Sequence, residues 1–401
     1  MTAYPEFEAT RALFYLPSDV LYFDGNSLGP QPLAVRNRMR CVVEEEWADQ
    51  LIRGWVGAHW MDQPTLLGDR VGALIGAEPG TVTMGDTLSI KIFQLLSAAL
   101  QEQPARKIVL SDTGNFPTDL YMAEGLLKHV HTDHTLKLID PADIESNLDE
   151  SVAALLITHV DYRSGRMHNM QRITARCRDL GIPVVWDLAH SAGAVKVELQ
   201  RWGVDYAAGC TYKYLNAGPG APAFVYVSKQ KQAGIEPILS GWLGHQQPFD
   251  FESGYVPGTG IERMRIGTPP VLSFAAVEAA LGVWDGISID RLRARSVELS
   301  ELFIAQVTQH IDELTLASPM NSDERGSQVS FRFEHGYAAI QALIHQHGMI
   351  GDFRAPDIMR FAITPLYMNE QDVIAGVTAL RQVFKHRQWD NPDYRIRAPV
   401  T

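Results

Sequence analysis

Gly209-Cys-Thr-Tyr-Lys-Tyr-Leu-Asn-Ala-Gly-Pro-Gly220 and the upstream segment Val184-Val-Trp-Asp-Leu-Ala-His190 decide how this chain reads. Each leaves a short apolar run and enters residues that favour turns. In the first, Lys213 precedes Asn, Gly and Pro, a composition that permits unusual backbone angles and close approach of a ligand to the main chain. Lysine is scarce, nine residues against 26 arginines, and most lysines lie in polar or helical contexts that read as solvated surface. Lys213 differs, because a partly dry pocket would let its amine lose a proton and act as a nucleophile. A purely structural turn fits the same letters. In the second segment Asp187 closes an apolar run, which alone reads as a helix cap.

Outward from these segments, short apolar runs alternate with helical patterns between about 60 and 230. The expected strands are Thr81–Met84, Lys107–Ser111, Leu136–Ile139, Ala153–Thr158, Pro183–Asp187, Tyr206–Gly209 and Phe224–Val227. Helices are expected over Ser89–Gln101, Thr118–His129 and Met170–Leu180. That alternation predicts an α/β fold with a mostly parallel seven-stranded sheet covered on both faces. Earlier, residues 5–17 read as a short helix, Leu21–Phe23 as a strand and Pro32–Trp47 as a helix. Beyond 270 the order changes: helices over 271–285 and 290–313, then strand Val329–Phe333, helix Tyr337–His347, strand Ile358–Thr364 and helix Asn369–Arg387. The division expected is an N-terminal arm and helix over 1–60 packing with the small domain, a large α/β domain over 61–270, and a helical connection with a small α+β domain over 271–401.

The 401 residues carry 35 Lys and Arg against 47 Asp and Glu, a net charge of −12. Such a balance disfavours nucleic acid or an anionic membrane as partner. Cys41, Cys177 and Cys210 are odd in number and widely spaced, so neither a disulfide framework nor a zinc site is expected, and a reducing cytoplasm suits them. No run approaches the ~18 apolar residues of a membrane span. The clusters His129/His131/His134 and His345/His347 read as surface histidines, and no metal is expected.

Taken together, Asp187 and Lys213 are more informative than either alone. An acid about 25 residues ahead of a turn lysine, with a strand between, meets the demand of pyridoxal phosphate (PLP): the lysine forms a Schiff base and the acid anchors the protonated ring nitrogen. Here the chain resembles the class V aminotransferase branch of the fold-type I PLP-dependent transferase architecture, and within it the kynureninases of bacterial type. The resemblance is carried by Tyr22-Phe-Asp-Gly-Asn-Ser-Leu-Gly-Pro-Gln-Pro32, Phe116-Pro-Thr-Asp119, Asp187-Leu-Ala-His190, Trp202-Gly-Val-Asp205, Thr211-Tyr-Lys-Tyr-Leu-Asn216, Gly241-Trp-Leu-Gly-His245, Arg265-Ile-Gly-Thr-Pro-Pro270 and Arg360-Phe-Ala-Ile-Thr-Pro-Leu-Tyr367. These stretches occur in family order over nearly the whole chain.

The resemblance implies roles residue by residue. Lys213 is the Schiff-base lysine and Asp187 the partner of the ring nitrogen. Phe116 stacks on the ring, with Pro117, Thr118 and Asp119 beside it. Leu88 and Ser89 hold phosphate at a helix start, which suits an anion; the family usually has Thr where this chain has Ser89. Thr158, His190, Tyr212, Trp242 and Thr268 contact the cofactor, some of them from the partner subunit of a homodimer. Arg360 clamps the substrate α-carboxylate, a bidentate task, with Ser27 and Trp55 also at the substrate. The implied reaction is hydrolysis of the Cβ–Cγ bond of L-kynurenine to anthranilate and L-alanine, within tryptophan catabolism and NAD biosynthesis, with Tyr212 as acid/base. At Arg53-Gly54-Trp55 and Thr268, where animal-type members have His and Asn, the chain looks bacterial, so unsubstituted kynurenine is the expected preference over 3-hydroxykynurenine.

Three other readings stand beside it. An aminotransferase or cysteine desulfurase of the same branch is the nearest, but no cysteine follows Cys210 to form a persulfide. Gly25-Asn-Ser-Leu-Gly29 fits the G-x-S-x-G elbow of serine hydrolases using Ser27, although only 24 residues precede it and Pro30 and Pro32 follow where a helix should begin. The last is a catalytically silent PLP-fold protein.

Overall fold

The computed structural model describes residues 4–396. Seven strands form the larger sheet: β1 Val82–Met84, β2 Ile108–Asp112, β3 Thr135–Ile139, β4 Val152–Thr158, β5 Val184–Asp187, β6 Tyr206–Gly209 and β7 Phe224–Val227, in the spatial order β1-β7-β6-β5-β4-β2-β3. Six run parallel. β7 is antiparallel to both its neighbours, because segment 210–223 contains no helix to carry the chain back across the sheet. Strands β4 to β7 are buried along their whole length, as unbroken Val, Leu, Ala and Ile runs require. The edge strand β3 is half-exposed instead. Helices Leu88–Glu102, Pro117–His129 and Met170–Asp179 cover the sheet.

A second, antiparallel sheet holds β8 Thr315–Leu316, β9 Gln328–Arg332, β10 Asp352–Arg354 and β11 Ile358–Ala362 in the order β8-β9-β11-β10. Helices Ile289–His310, Gly336–His347 and Glu370–Lys385 pack beside it, the last with a full capping box from Asn369 and Asp372. The N-terminal residues are tied to this half. Leu21–Tyr22 pairs in parallel with Met349–Ile350, and the Thr10 hydroxyl donates to the Leu366 carbonyl at 2.8 Å.

Two N-terminal expectations change. Residues 5–17 are not one helix: Pro5–Arg11 is helical, then Phe14–Tyr15 turns into a strand against Gln31–Pro32. The helix expected over Pro32–Trp47 starts at Ala34 and passes at Val42–Trp47 into a π-helical turn. There Glu46 is held by Arg38 at 2.6 Å and by the Trp60 indole at 2.9 Å.

Candidate active site

The chemistry gathers at the carboxyl ends of β4, β5 and β6, where an open parallel sheet presents its ligands. Thr158 ends β4, Asp187 ends β5, and Lys213 follows β6 in a turn whose Asn216 adopts a left-handed φ of 58°. That turn is pinned by the Asn216 amide donating to the Lys213 carbonyl at 3.0 Å and the Gly29 amide donating to the Tyr212 carbonyl at 2.8 Å. A side chain at Gly29 would collide with the Lys213 carbonyl and Asn216, and one at Gly25 with the Tyr367 hydroxyl. The two glycines of the G-x-S-x-G match are thus explained by packing. Ser27 between them donates to Asp352 Oδ2 at 2.8 Å and accepts from Arg360, so it is no nucleophile elbow.

Nζ of Lys213 lies 3.0 Å from Nε2 of His190, 5.9 Å from the Phe116 ring centre and 5.8 Å from that of Tyr212. Asp187 is buried and accepts from the Ala189 amide at 2.7 Å, with the Thr158 hydroxyl among the groups that favour its charged form. Its carboxyl is also hydrogen-bonded to that of Asp119. Desolvation, and then the charge of Asp187, push Asp119 well above the usual carboxylate range, so Asp119 keeps the shared proton. Burial likewise raises Asp187, while the Lys213 ammonium opposes the shift. His190 is driven well below its ordinary value by burial and by the charges of Lys213, Arg360 and Arg354, so its ring is neutral. Tyr212 is raised, first by the neighbouring Cys210 thiol and then by burial, and holds its phenolic proton.

Leu88 and Ser89 open the helix Leu88–Glu102, whose first turn receives no side-chain cap from Thr87. Those uncapped amides suit a phosphate. One turn further, buried Lys91 pairs with Asp86 at 2.9 Å and donates to the Met264 carbonyl at 3.1 Å, a contact the sequence did not announce. The Pro117 to Asp119 turn begins the helix behind Phe116, which is 39% exposed. Oδ2 of Asp119 is buried with no hydrogen-bond partner among the described residues. A strand-end carboxylate backed by Asp119, a half-exposed phenylalanine and a lysine amine fit the PLP ring.

Arg360 is placed differently from expectation. It lies on β11, fully buried, with Nε donating to Asp352 Oδ1 at 2.5 Å, Nη2 to Asp352 Oδ2 and to Ser27 at 3.1 Å, and Nη1 to the Tyr162 carbonyl. Four of its five N–H groups are therefore engaged, and the open bidentate fork of the sequence reading is occupied by Asp352. Asp352 and Tyr162 escaped that reading. The first lies on a three-residue strand, and the second acts through its carbonyl and by packing its ring edge-on to Phe116 at 5.2 Å. Trp242, Thr268 and Trp55 are not brought to Lys213. Trp242 is 39% exposed and packs on Phe249, Thr268 is exposed, and Trp55 meets Trp60 at 5.8 Å. His345 stacks on Tyr394, and His347 bonds Gln388 at 2.7 Å. Among the described residues no group of three His, Cys, Asp or Glu could hold a metal.

Fold and site together define a PLP-dependent enzyme of fold type I. Among solved structures the chain superposes on a C-DES mutant with glycine covalently linked to its PLP cofactor, with a TM-score of 0.80, 16% identity, and coverage of 95% of this chain and 99% of that one. The apo cysteine desulfurase of Thermococcus onnurineus NA1 follows at TM-score 0.78 and 20% identity, over 94% and 98%. At such identity they show the fold alone. Residues 90–205 match the DegT/DnrJ/EryC1/StrS aminotransferase family, and residues 292–380 the kynureninase C-terminal domain. The kynureninases of Pseudomonas fluorescens and Burkholderia pseudomallei (strain 1106a) are each 46% identical over 398 residues, covering 98% of this chain and 95% of theirs. The chain belongs to the kynureninase family.

Proposed function

We propose that this enzyme hydrolyses the Cβ–Cγ bond of L-kynurenine, releasing anthranilate and L-alanine. The observation that carries the reading is the grouping of the Lys213 amine, the Asp187–Asp119 pair and the Phe116 ring, whose centre lies 5.9 Å from the amine. Bound PLP supplies an electron sink for the carbanion formed at Cα. Lys213 would hold the cofactor through its amine, and its Nζ would move the Cα proton. Neutral His190, with Nε2 3.0 Å from that amine, orients it. Asp187, kept company by protonated Asp119, holds the proton on the ring nitrogen. Leu88 and Ser89 hold the phosphate at the uncapped helix start. The substrate carboxylate meets the remaining Nη1 N–H of Arg360, beside Ser27, whose hydroxyl proton is already given to Asp352. Water adds to the γ-carbonyl, the carbon–carbon bond breaks, and Tyr212 supplies the proton that Cβ takes up.

Trp242, Thr268 and Trp55 complete the site from the second subunit of a homodimer. Leu51 (62% exposed), Ile52 (77%) and Val56 (82%), close in sequence to Trp55, support that pairing, because clustered bare apolar side chains mark interaction surfaces. The division into 1–60, 61–270 and 271–401, a cytoplasmic location, and a place in tryptophan breakdown and NAD biosynthesis belong to the same proposal. No single helix among the described residues is long and apolar enough to cross a membrane. A desulfurase reading finds no support in the cysteines, since Cys177 and Cys210 are buried and Cys41 faces Glu45. The deciding experiment mixes purified protein, PLP and L-kynurenine and follows the blue fluorescence of anthranilate. A PLP-loaded protein that produces none would overturn the reading.

A further inference from the structure

Arg360 is too occupied to hold a carboxylate alone. One N–H, on Nη1, is left after Asp352, Ser27 and the Tyr162 carbonyl have taken the others. These partners are themselves held: Asp352 is 1% exposed, and the Tyr162 carbonyl also accepts from the Gln328 carboxamide at 3.0 Å. A carboxylate has two oxygens, and one N–H serves only one of them. A second donor close by is required.

Arg354 stands next to that place. It lies on β10, whose Asp352 pairs in register with Arg360 on β11. Its Nη2 is 2.9 Å from Oδ2 of Asp352, the same oxygen that accepts from Nη2 of Arg360 and from the Ser27 hydroxyl at 2.8 Å. Sharing one acceptor keeps the two guanidinium ends within about 6 Å of each other, the span of two hydrogen bonds. Nη1 of Arg354 donates to the Phe353 carbonyl at 2.9 Å, which tethers the side chain. Its other three N–H groups, one each on Nε, Nη1 and Nη2, have no partner among the described residues. The Arg354 side chain is 36% exposed where that of Arg360 is 2% exposed, so a ligand can reach it. One carboxylate between two guanidiniums leaves positive charge for an anion, and Asp24, raised to about 7, only partly offsets it.

We propose that Arg354 is a second substrate-binding residue: its free N–H groups take one oxygen of the α-carboxylate while the open Nη1 N–H of Arg360 takes the other. The inference rests on Arg360 being the carboxylate arginine of the reaction proposed above. The bidentate fork that Arg360 has spent on Asp352 is thus rebuilt from two side chains, and Asp352 sets their spacing.

The test titrates the visible absorbance of the PLP-loaded protein with L-alanine and with L-alaninamide, which has the same shape and no carboxylate. It compares the wild type, Arg354→Gln and Arg354→Lys. The wild type should prefer alanine. Arg354→Gln should weaken alanine binding about 10- to 100-fold, the worth of a hydrogen bond to a charged group, and leave alaninamide binding unchanged. Arg354→Lys keeps the charge and loses the planar fork, and should recover part of the loss. PLP uptake should match the wild type in both, since Asp352 keeps Arg360 and Ser27 as partners. An equal loss for the two ligands would make Arg354 merely structural and overturn the inference, as would an unchanged preference for alanine or a wild type without one. Neither ligand is kynurenine. Protein that shows the selective loss but makes no anthranilate refutes the reaction and leaves the paired arginines standing; anthranilate without the selective loss does the reverse.

Discussion

Asp352 holds Arg360 by both carboxylate oxygens, each side chain buried to within a few per cent of its surface. Burial alone would raise the Asp352 carboxyl, but the Arg360 charge and hydrogen bonds, helped by Arg354, hold it below the usual range. Removing one member of a buried pair leaves an uncompensated charge, whereas removing both does not. Asp352→Asn should therefore cost about 3–5 kcal/mol in urea unfolding, and the double change Asp352→Asn with Arg360→Met less than that single one. A single variant that unfolds at the wild-type midpoint would show the pair to be passive.

Asp24 sits next to the same cluster, and burial followed by the Asp352 charge raises it to about 7. A raised carboxyl favours the folded state while protonated. Its contribution is complete below the ordinary carboxylate range near 4 and fades as pH rises through about 7. Asp24→Asn should flatten thermal stability between those limits and raise the Tm at pH 8 relative to the wild type. An unchanged slope across that window would contradict the assignment.

Asp187→Asn keeps the shape of the strand end but removes the charge that holds a proton on the ring nitrogen. Turnover should fall on the order of 10²–10³-fold, the usual cost of losing one preorganised electrostatic partner. PLP uptake should survive, since Lys213 and the helix start at Leu88 are untouched. Stopped-flow turnover beside a PLP binding isotherm separates the two effects.

Tyr212→Phe removes a phenol that the Cys210 thiol and burial keep protonated. As the acid for Cβ it should contribute 10²- to 10⁴-fold, the range of general acid catalysis. The cofactor absorbance should remain, because the Phe ring fills the same space. Near-normal anthranilate production would move the proton donor elsewhere.

How far the sequence could be read follows from what kind of signal each part leaves. All seven strands of the large sheet were legible, since β4 to β7 are unbroken apolar runs closed by chemistry-bearing residues such as Asp187. Lys213 was legible because a scarce residue stands before a turn. The antiparallel sense of β7 was not, since it depends on the absence of a helix after Gly209. Asp352 lies on a three-residue strand too short for any periodicity. Gln328 and Tyr162 act across 166 positions of sequence, a contact only the packing of the two sheets creates. The π-helical turn at Val42–Trp47 has no pattern of its own, and rests on Arg38 and Trp60 reaching Glu46.

Substrate choice gives the last prediction, and it also tests the dimer. Trp55 and Thr268 make no hydrogen bond or ring contact with Lys213, Asp187 or Arg360 among the described residues, and the proposed homodimer has them act on substrate from the second subunit. An indole and a threonine offer an added ring hydroxyl little complementarity, and a matched polar group in a dry site is worth about 1–3 kcal/mol. Trp55→His with Thr268→Asn should then raise kcat/KM for 3-hydroxykynurenine relative to kynurenine by about 10-fold or more. Mixing that variant with Lys213→Ala protein should yield hybrid dimers in which the intact lysine works beside wild-type Trp55 and Thr268, restoring preference for kynurenine. If the preference follows the subunit that supplies Lys213, both residues act within one chain and the shared-site proposal fails.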